Sequence, residues 1–156
     1  MPRKKRVLKR PSVAPDYQYS DPAIAKFINM LMWHGKKSIA QSIVYGAFED
    51  LKQKNEDPPK VFKKAIENVK PDVEVRSRRV GGANYQVPVD VLPQRQISLS
   101  CRWIIQSART RLGRSMAEKL SAEFYEAANG RGGAIKKRDD VHKMAEANRA
   151  FAHFRW

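Results

Sequence analysis

The segment Glu74-Val-Arg-Ser-Arg-Arg-Val-Gly-Gly-Ala-Asn-Tyr-Gln-Val-Pro-Val-Asp-Val91 constrains this chain more than any other, because it consists of two alternating runs joined by a glycine pair. Counting by twos puts Val73, Val75 and Ser77 on one face of the first run with Glu74, Arg76 and Arg78 opposite, while Tyr85, Val87, Val89 and Val91 share a face of the second. Glycine at Gly81 and Gly82 permits the positive φ of a tight turn, so the pattern predicts a β-hairpin over 72–91 with Arg76, Arg78 and Arg79 crowded near its tip. A lone two-stranded ribbon is marginal in water and needs a helical body or a ligand to lean on. The remainder of the chain must therefore supply a body, and a basic ribbon tip suits a nucleic-acid groove.

That body reads as helical. Asp21-Pro22 combines an N-cap residue with proline at the first helical position, and Ile24, Phe27, Ile28 and Leu31 follow at helical spacing until Trp33-His34-Gly35. A second helix is expected from Ser38 to Lys54, with Gly46 allowing close packing; a third follows Asp57-Pro58 and closes before Pro71. After the ribbon, Leu92-Pro93 opens a fourth helix expected to run to Gly113. Ser115-Met-Ala-Glu118 has capping-box spacing and starts a fifth that Asn129-Gly130 ends, and a sixth is expected from Ala134 into the 150s. The fold class is thus mainly α: a single bundle of about six helices over 20–156, with an extended hairpin between helices three and four, preceded by a basic disordered arm over 1–19.

Charge indicates the partner. The chain carries 31 Lys and Arg against 16 Asp and Glu in 156 residues, a formal net charge of +15, which calls for a polyanion. The arm holds Arg3, Lys4, Lys5, Arg6, Lys9 and Arg10, with no acid before Asp16. Such a segment can order on phosphates, with released counterions offsetting the entropy lost. From Val91 to Ala117 there is no acid, yet Arg95, Arg102, Arg109, Arg111 and Arg114 occur there. Residues seven apart drift by only about 20° around a helix, so Arg95, Arg102 and Arg109 form a stripe, with Ile97, Cys101, Ile104, Ile105, Ala108 and Leu112 on the far side. Leu99 and Trp103 flank the stripe and pack either on a neighbouring helix or on a partner. Lys26, Lys36 and Lys37 gather beside His34 in another acid-free stretch, while acids concentrate in Glu49 to Asp57 and Glu118 to Glu126, predicting a two-faced molecule.

Chemistry other than binding finds little support. Three histidines and the lone Cys101 are too few for a closed zinc site of the usual kind, and Asp139 and Asp140, followed by His142, diverge around a helix beside Lys136, Lys137 and Arg138. Gly81-Gly82 and Gly132-Gly133 lack the spacing of a phosphate loop or dinucleotide fingerprint. No catalytic residue, metal or cofactor is expected, and Cys101, Met30, Met32, Met116 and Met144 read as packing residues. No apolar run approaches the roughly 20 residues of a membrane span, and no apolar segment of signal-peptide length follows the basic amino terminus, so the cytosol is the expected compartment.

On the Glu74–Val91 ribbon, the Arg95–Arg114 helix with Trp103, and the closing segment from Lys137 to Trp156, the chain resembles the bacterial family of small-subunit ribosomal protein seven along essentially its whole length. The resemblance implies six helices with an extended hairpin and a non-enzymatic role: direct binding to the 3′ major domain of small-subunit rRNA, nucleating assembly of the subunit head. It implies a position near the mRNA exit path and exit-site tRNA, contacts with small-subunit proteins nine and eleven, and, in some members, repression of the operon that encodes them. Carried across, the rRNA-binding surface falls on Arg3 to Arg10, Lys36, Lys37, Arg76, Arg78, Arg79 and the arginines Arg95, Arg102, Arg109, Arg111 and Arg114. The parts expected near tRNA and mRNA are Val80, Gly81, Gly82, Ala83 and Asn84 at the tip, and His142, Arg149 and His153 toward the end. From the residues alone two alternatives stay open, a DNA-architectural protein whose ribbon enters the minor groove and an RNA-processing enzyme.

Overall fold

In the computed structural model, which describes residues 13–155, the first helix begins at the signal read from the sequence. In α1 (Pro22–Leu31) the Asp21 carboxylate accepts from the Ala23 N–H at 2.8 Å, and the same carboxylate pairs with Lys63 of the third helix at 2.9 Å. Burial alone would raise the Asp21 carboxyl, but Lys63 and the backbone N–H groups outweigh it and hold it below its ordinary value. A turn with positive φ at His34 and Gly35, 50° and 73°, leads into α2 (Lys37–Gln53), and α3 (Pro58–Val69) ends just before Pro71.

The hairpin consists of β1 (Val73–Val80) and β2 (Ala83–Asp90), antiparallel, with Gly81 and Gly82 at φ 57° and 92°. Positive φ at both central residues matches the right-handed twist of the strands, which is why the glycine pair turns here. α4 (Pro93–Thr110), α5 (Met116–Ala128) and α6 (Gly133–Ala147) complete the body, followed by a 3₁₀ tail (Arg149–Phe154). The start of α5 is capped as its sequence foretold: Ser115 Oγ accepts from the Glu118 N–H at 3.2 Å, while the Glu118 carboxylate reaches the Arg114 N–H at 3.1 Å instead of that of Ser115.

The core is centred on Phe27, Phe48, Phe62 and Phe124, one from each of α1, α2, α3 and α5 and all fully buried. Phe124 meets the other three at centroid separations of 5.3, 6.1 and 5.5 Å, so a single ring joins four helices. Phe124→Ala should cost about 3–5 kcal/mol in urea unfolding, since none of the helices can collapse into the void without leaving the others. A loss below about 1 kcal/mol would show that the four rings do not act as one core. α2 also approaches α5 closely at Gly46, where an added Cβ would lie 3.3 Å from that of Ala117. α4 contributes Leu99, Cys101, Trp103, Ile104, Ile105 and Ala108, all buried, and burial pushes the Cys101 thiol up to about 11. Leu99 and Trp103 thus pack inward, and Cys101 is a core residue. Met30, Met32 and Met116 pack against the core, whereas Met144 is exposed.

Three expectations need correction. α4 stops at Thr110, short of Gly113, because Arg111 turns into extended backbone (φ −66°, ψ 149°) and its side chain is captured by α5; Leu112 consequently leaves the apolar face and is fully exposed. The last helix does not continue into the 150s. Asn148 Nδ2 donates back to the Met144 carbonyl at 2.8 Å, and the 3₁₀ tail folds onto the hairpin, placing Phe151 and Phe154 5.2 and 5.1 Å from Tyr85. Covering three rings favours the fold-back over a straight helix in water. The amino-terminal arm also meets the body sooner than the sequence suggested: Asp16 is buried, accepts from the Gln18 and Tyr19 N–H groups, and receives the Tyr45 hydroxyl at 2.8 Å. Burial and Asp16 together push the Tyr45 phenol up to about 12. The cluster from Arg3 to Arg10 lies outside the described residues.

Candidate nucleic-acid interface

Strand register decides where the hairpin arginines point. Arg76 pairs with Val87 and Arg78 with Tyr85, and cross-strand partners share a face, so the basic residues of β1 stand beside the apolar residues of β2. At the base of that face Glu74 is only 8% exposed and binds two guanidinium groups, Arg76 at 2.5 Å and Arg95 of α4 at 2.9 Å. One carboxylate between two arginines leaves a net positive charge and locks the hairpin to the start of α4 in a fixed orientation. Arg79 is exposed nearer the tip, as are Gly81, Gly82, Ala83 and Asn84.

From Arg95 the exposed stripe continues through Arg102 to Arg109. Fourteen residues of helix span roughly 21 Å, so α4 carries cations from the hairpin base to the opposite end of the body. There Arg109 lies over the indole of Trp33, 4.6 Å from its centroid, beside exposed Lys36 and Lys37 at the start of α2. Lys36 and Arg109 line the same groove. Basic residues from three parts of the chain thus lie along the exposed face of α4 and at its two ends.

One of the arginines has another obligation. Arg111 binds Glu123 at 2.5 Å and Glu126 through a short second contact, and its side chain is 23% exposed. Hydrogen bonding to Glu126 outweighs burial, which alone would lower the Arg111 guanidinium, and raises it above its ordinary value; the same bond holds Glu126 below its own. Glu123 is fully buried and also accepts the Ala134 N–H at 2.9 Å. Arg111 therefore ties the end of α4 to α5 and to the start of α6. Arg114 is exposed on the connecting loop.

Toward the chain end, His142 Nε2 accepts the Asp72 N–H at 3.2 Å and so joins α6 to the hairpin base. Arg149 and His153 are exposed on the 3₁₀ tail, and Arg155 pairs with Asp90 at 2.6 Å. Asp139 pairs with neighbouring Arg138 at 2.6 Å. Among the described residues no three His, Cys, Asp or Glu side chains stand close enough to hold a metal, and no helix is long and apolar enough to cross a membrane. Trp33 is the functional candidate that sequence reasoning passed over as a helix stop; the available signal was a large aromatic next to Lys36-Lys37 in a turn.

A helical body with a cationic hairpin and a basic track along one helix defines a polyanion-binding protein. Residues 2–149 match the family described as ribosomal protein S7p/S5e. Over the full length of both chains the protein is 58% identical to the small ribosomal subunit protein uS7 of Solibacter usitatus (strain Ellin6076). It is 59% identical to those of Burkholderia mallei (strain SAVP1) and Burkholderia thailandensis, again over the whole of each chain. The chain belongs to this family of small-subunit ribosomal proteins; it is a structural constituent of the ribosome and not an enzyme.

Proposed function

We propose that this protein is a primary binder of the 3′ major domain of small-subunit rRNA and nucleates assembly of the subunit head. The observation that carries this reading is the track from Arg76 and Arg95 through Arg102 to Arg109 and Lys36, because it presents cations on three separate elements. A single duplex offers one groove at a time, whereas folded RNA presents phosphates from several strands and is held largely by shape. Arg3 to Arg10, Lys37, Arg78, Arg79 and Arg114 extend the same surface in this reading, and Arg111 contributes by holding α4 in place. The hairpin tip, Val80 to Asn84, and the His142, Arg149 and His153 segment lie toward exit-site tRNA and the mRNA exit path, with small-subunit proteins nine and eleven as neighbours. The surface that binds rRNA would also bind a matching fold in its own message and repress translation.

Equilibrium binding to a 3′ major domain transcript and to random duplex DNA across a salt series tests this. Phosphate contacts alone weaken both with a log–log slope of about −0.7 to −0.9 per contact, so shape recognition shows as RNA binding that outlasts DNA binding as salt rises. Equal loss from both would make the protein a general polyanion binder and return the DNA-architectural reading.

A further inference from the structure

Beside Trp33 a groove of about 350 Å³ opens between the α1–α2 turn, the first turns of α2 and the facing ends of α4 and α5. Its floor is apolar, formed by Leu31, Ile39, Ile43 and Met116, and its rim carries Lys36 and Arg109. No carboxylate lines it. Trp33 and Ile39, 63% and 54% exposed, line the same groove and so present adjoining apolar surface to solvent. An adjoining hollow shares Ile39, Ile43 and Met116 and adds the side chains of Ser38, Ser42 and Ser115.

We propose that this groove seats an unstacked RNA nucleobase against the Trp33 and Arg109 pair, with the flanking phosphates on Lys36 and Lys37. The inference rests on the rRNA-binding reading and deepens it, assigning one site to base rather than backbone recognition. A splayed base has flat apolar faces and polar edges, and single-stranded bases are held by stacking on aromatic rings and guanidinium planes. Here both partners are already in place, the guanidinium carbon 4.6 Å from the indole centroid. The cationic rim complements a nucleotide's phosphates, whereas an apolar protein side chain would gain nothing from it. The serine hydroxyls can meet a base edge or a ribose 2′-hydroxyl, a group that duplex DNA lacks.

The test uses full-length protein carrying W103F and W156F, so that Trp33 is the sole indole, with the 3′ major domain transcript as probe. At saturation Trp33 emission should be quenched and its access to acrylamide lost. Trp33→Ala should bind roughly tenfold more weakly with an unchanged salt slope, since stacking and not a phosphate contact is removed, and Trp33→Phe should recover most of the loss. Trp33 is largely exposed, so neither variant threatens the fold. Wild-type affinity in Trp33→Ala, with Trp33 still open to acrylamide in the complex, overturns the proposal. Protection of Trp33 that arises only in the assembled small subunit would assign the groove to a protein neighbour and overturn it as well. A parent protein that does not bind the transcript would instead sink the rRNA-binding reading beneath it.

Discussion

Arg111→Ala is expected to lower the unfolding free energy by about 3–5 kcal/mol, as large a loss as any core truncation here. The reason lies in its partner. Glu123 is fully buried, and without Arg111 its remaining hydrogen bond comes from the Ala134 N–H, leaving a carboxylate in a site with no countercharge to hold it. Lysine should rescue only part of the loss, because Arg111 addresses Glu123 and Glu126 at once through a planar fork that an ammonium cannot reproduce. The site also makes stability depend on acid. Glu126 has a folded-state value below its ordinary 4.5, so its contribution is present above about that pH and is lost as pH falls through the lower folded value. Asp21, likewise held low, adds to the same trend. Urea melts from pH 6 to pH 3 should therefore show a loss that Glu126→Gln reduces, modestly because that side chain is partly exposed. If Arg111→Ala melts within about 1 kcal/mol of the wild type, the ion cluster does not hold α4, α5 and α6 together.

Exchanging Lys36, Lys37, Arg102 and Arg109 together for alanine is expected to weaken binding to the 3′ major domain transcript by about a hundredfold or more near physiological salt. All four are exposed, so circular dichroism and the melting midpoint should stay near wild type. The diagnostic quantity is the salt dependence. Losing up to four phosphate contacts should make the log–log slope shallower by about 3, whereas a folding defect would lower affinity at every salt concentration without changing the slope. An unchanged slope would mean that the track along α4 does not face phosphate, and the RNA would have to be sought on another side of the molecule. Arg95 is left out of the set because its bond to Glu74 would confound binding with hairpin placement.

How much of this was legible beforehand depended on the range of the interaction concerned. Asp21-Pro22, Ser115 to Glu118 and Gly81-Gly82 announced a helix start, a helix cap and a hairpin turn because capping and turn formation involve neighbours a few residues apart. The apolar face of α4 was readable for the same reason up to Ala108, and failed at Leu112, where Arg111 is drawn out of the helix by carboxylates 12 and 15 residues away. The stripe of Arg95, Arg102 and Arg109 was readable as a stripe. That it runs from a hairpin held by Glu74 to a tryptophan in the first interhelical turn was not, since those meetings join residues 21 and 76 positions apart.

By itself, then, the sequence determined the local periodicities: which segments are helical, where the ribbon turns, which faces are apolar, and that the partner is a polyanion. Tertiary structure alone decided which arginines serve the fold and which face outward. It also set the register that puts Arg76 and Arg78 beside Val87 and Tyr85, the return of the tail onto the hairpin, and the anchoring of Asp16 by Tyr45. The physical reason is common to all of these. A guanidinium is equally at home on water, phosphate or carboxylate, and only the packing of helices in three dimensions determines which of them lies within reach.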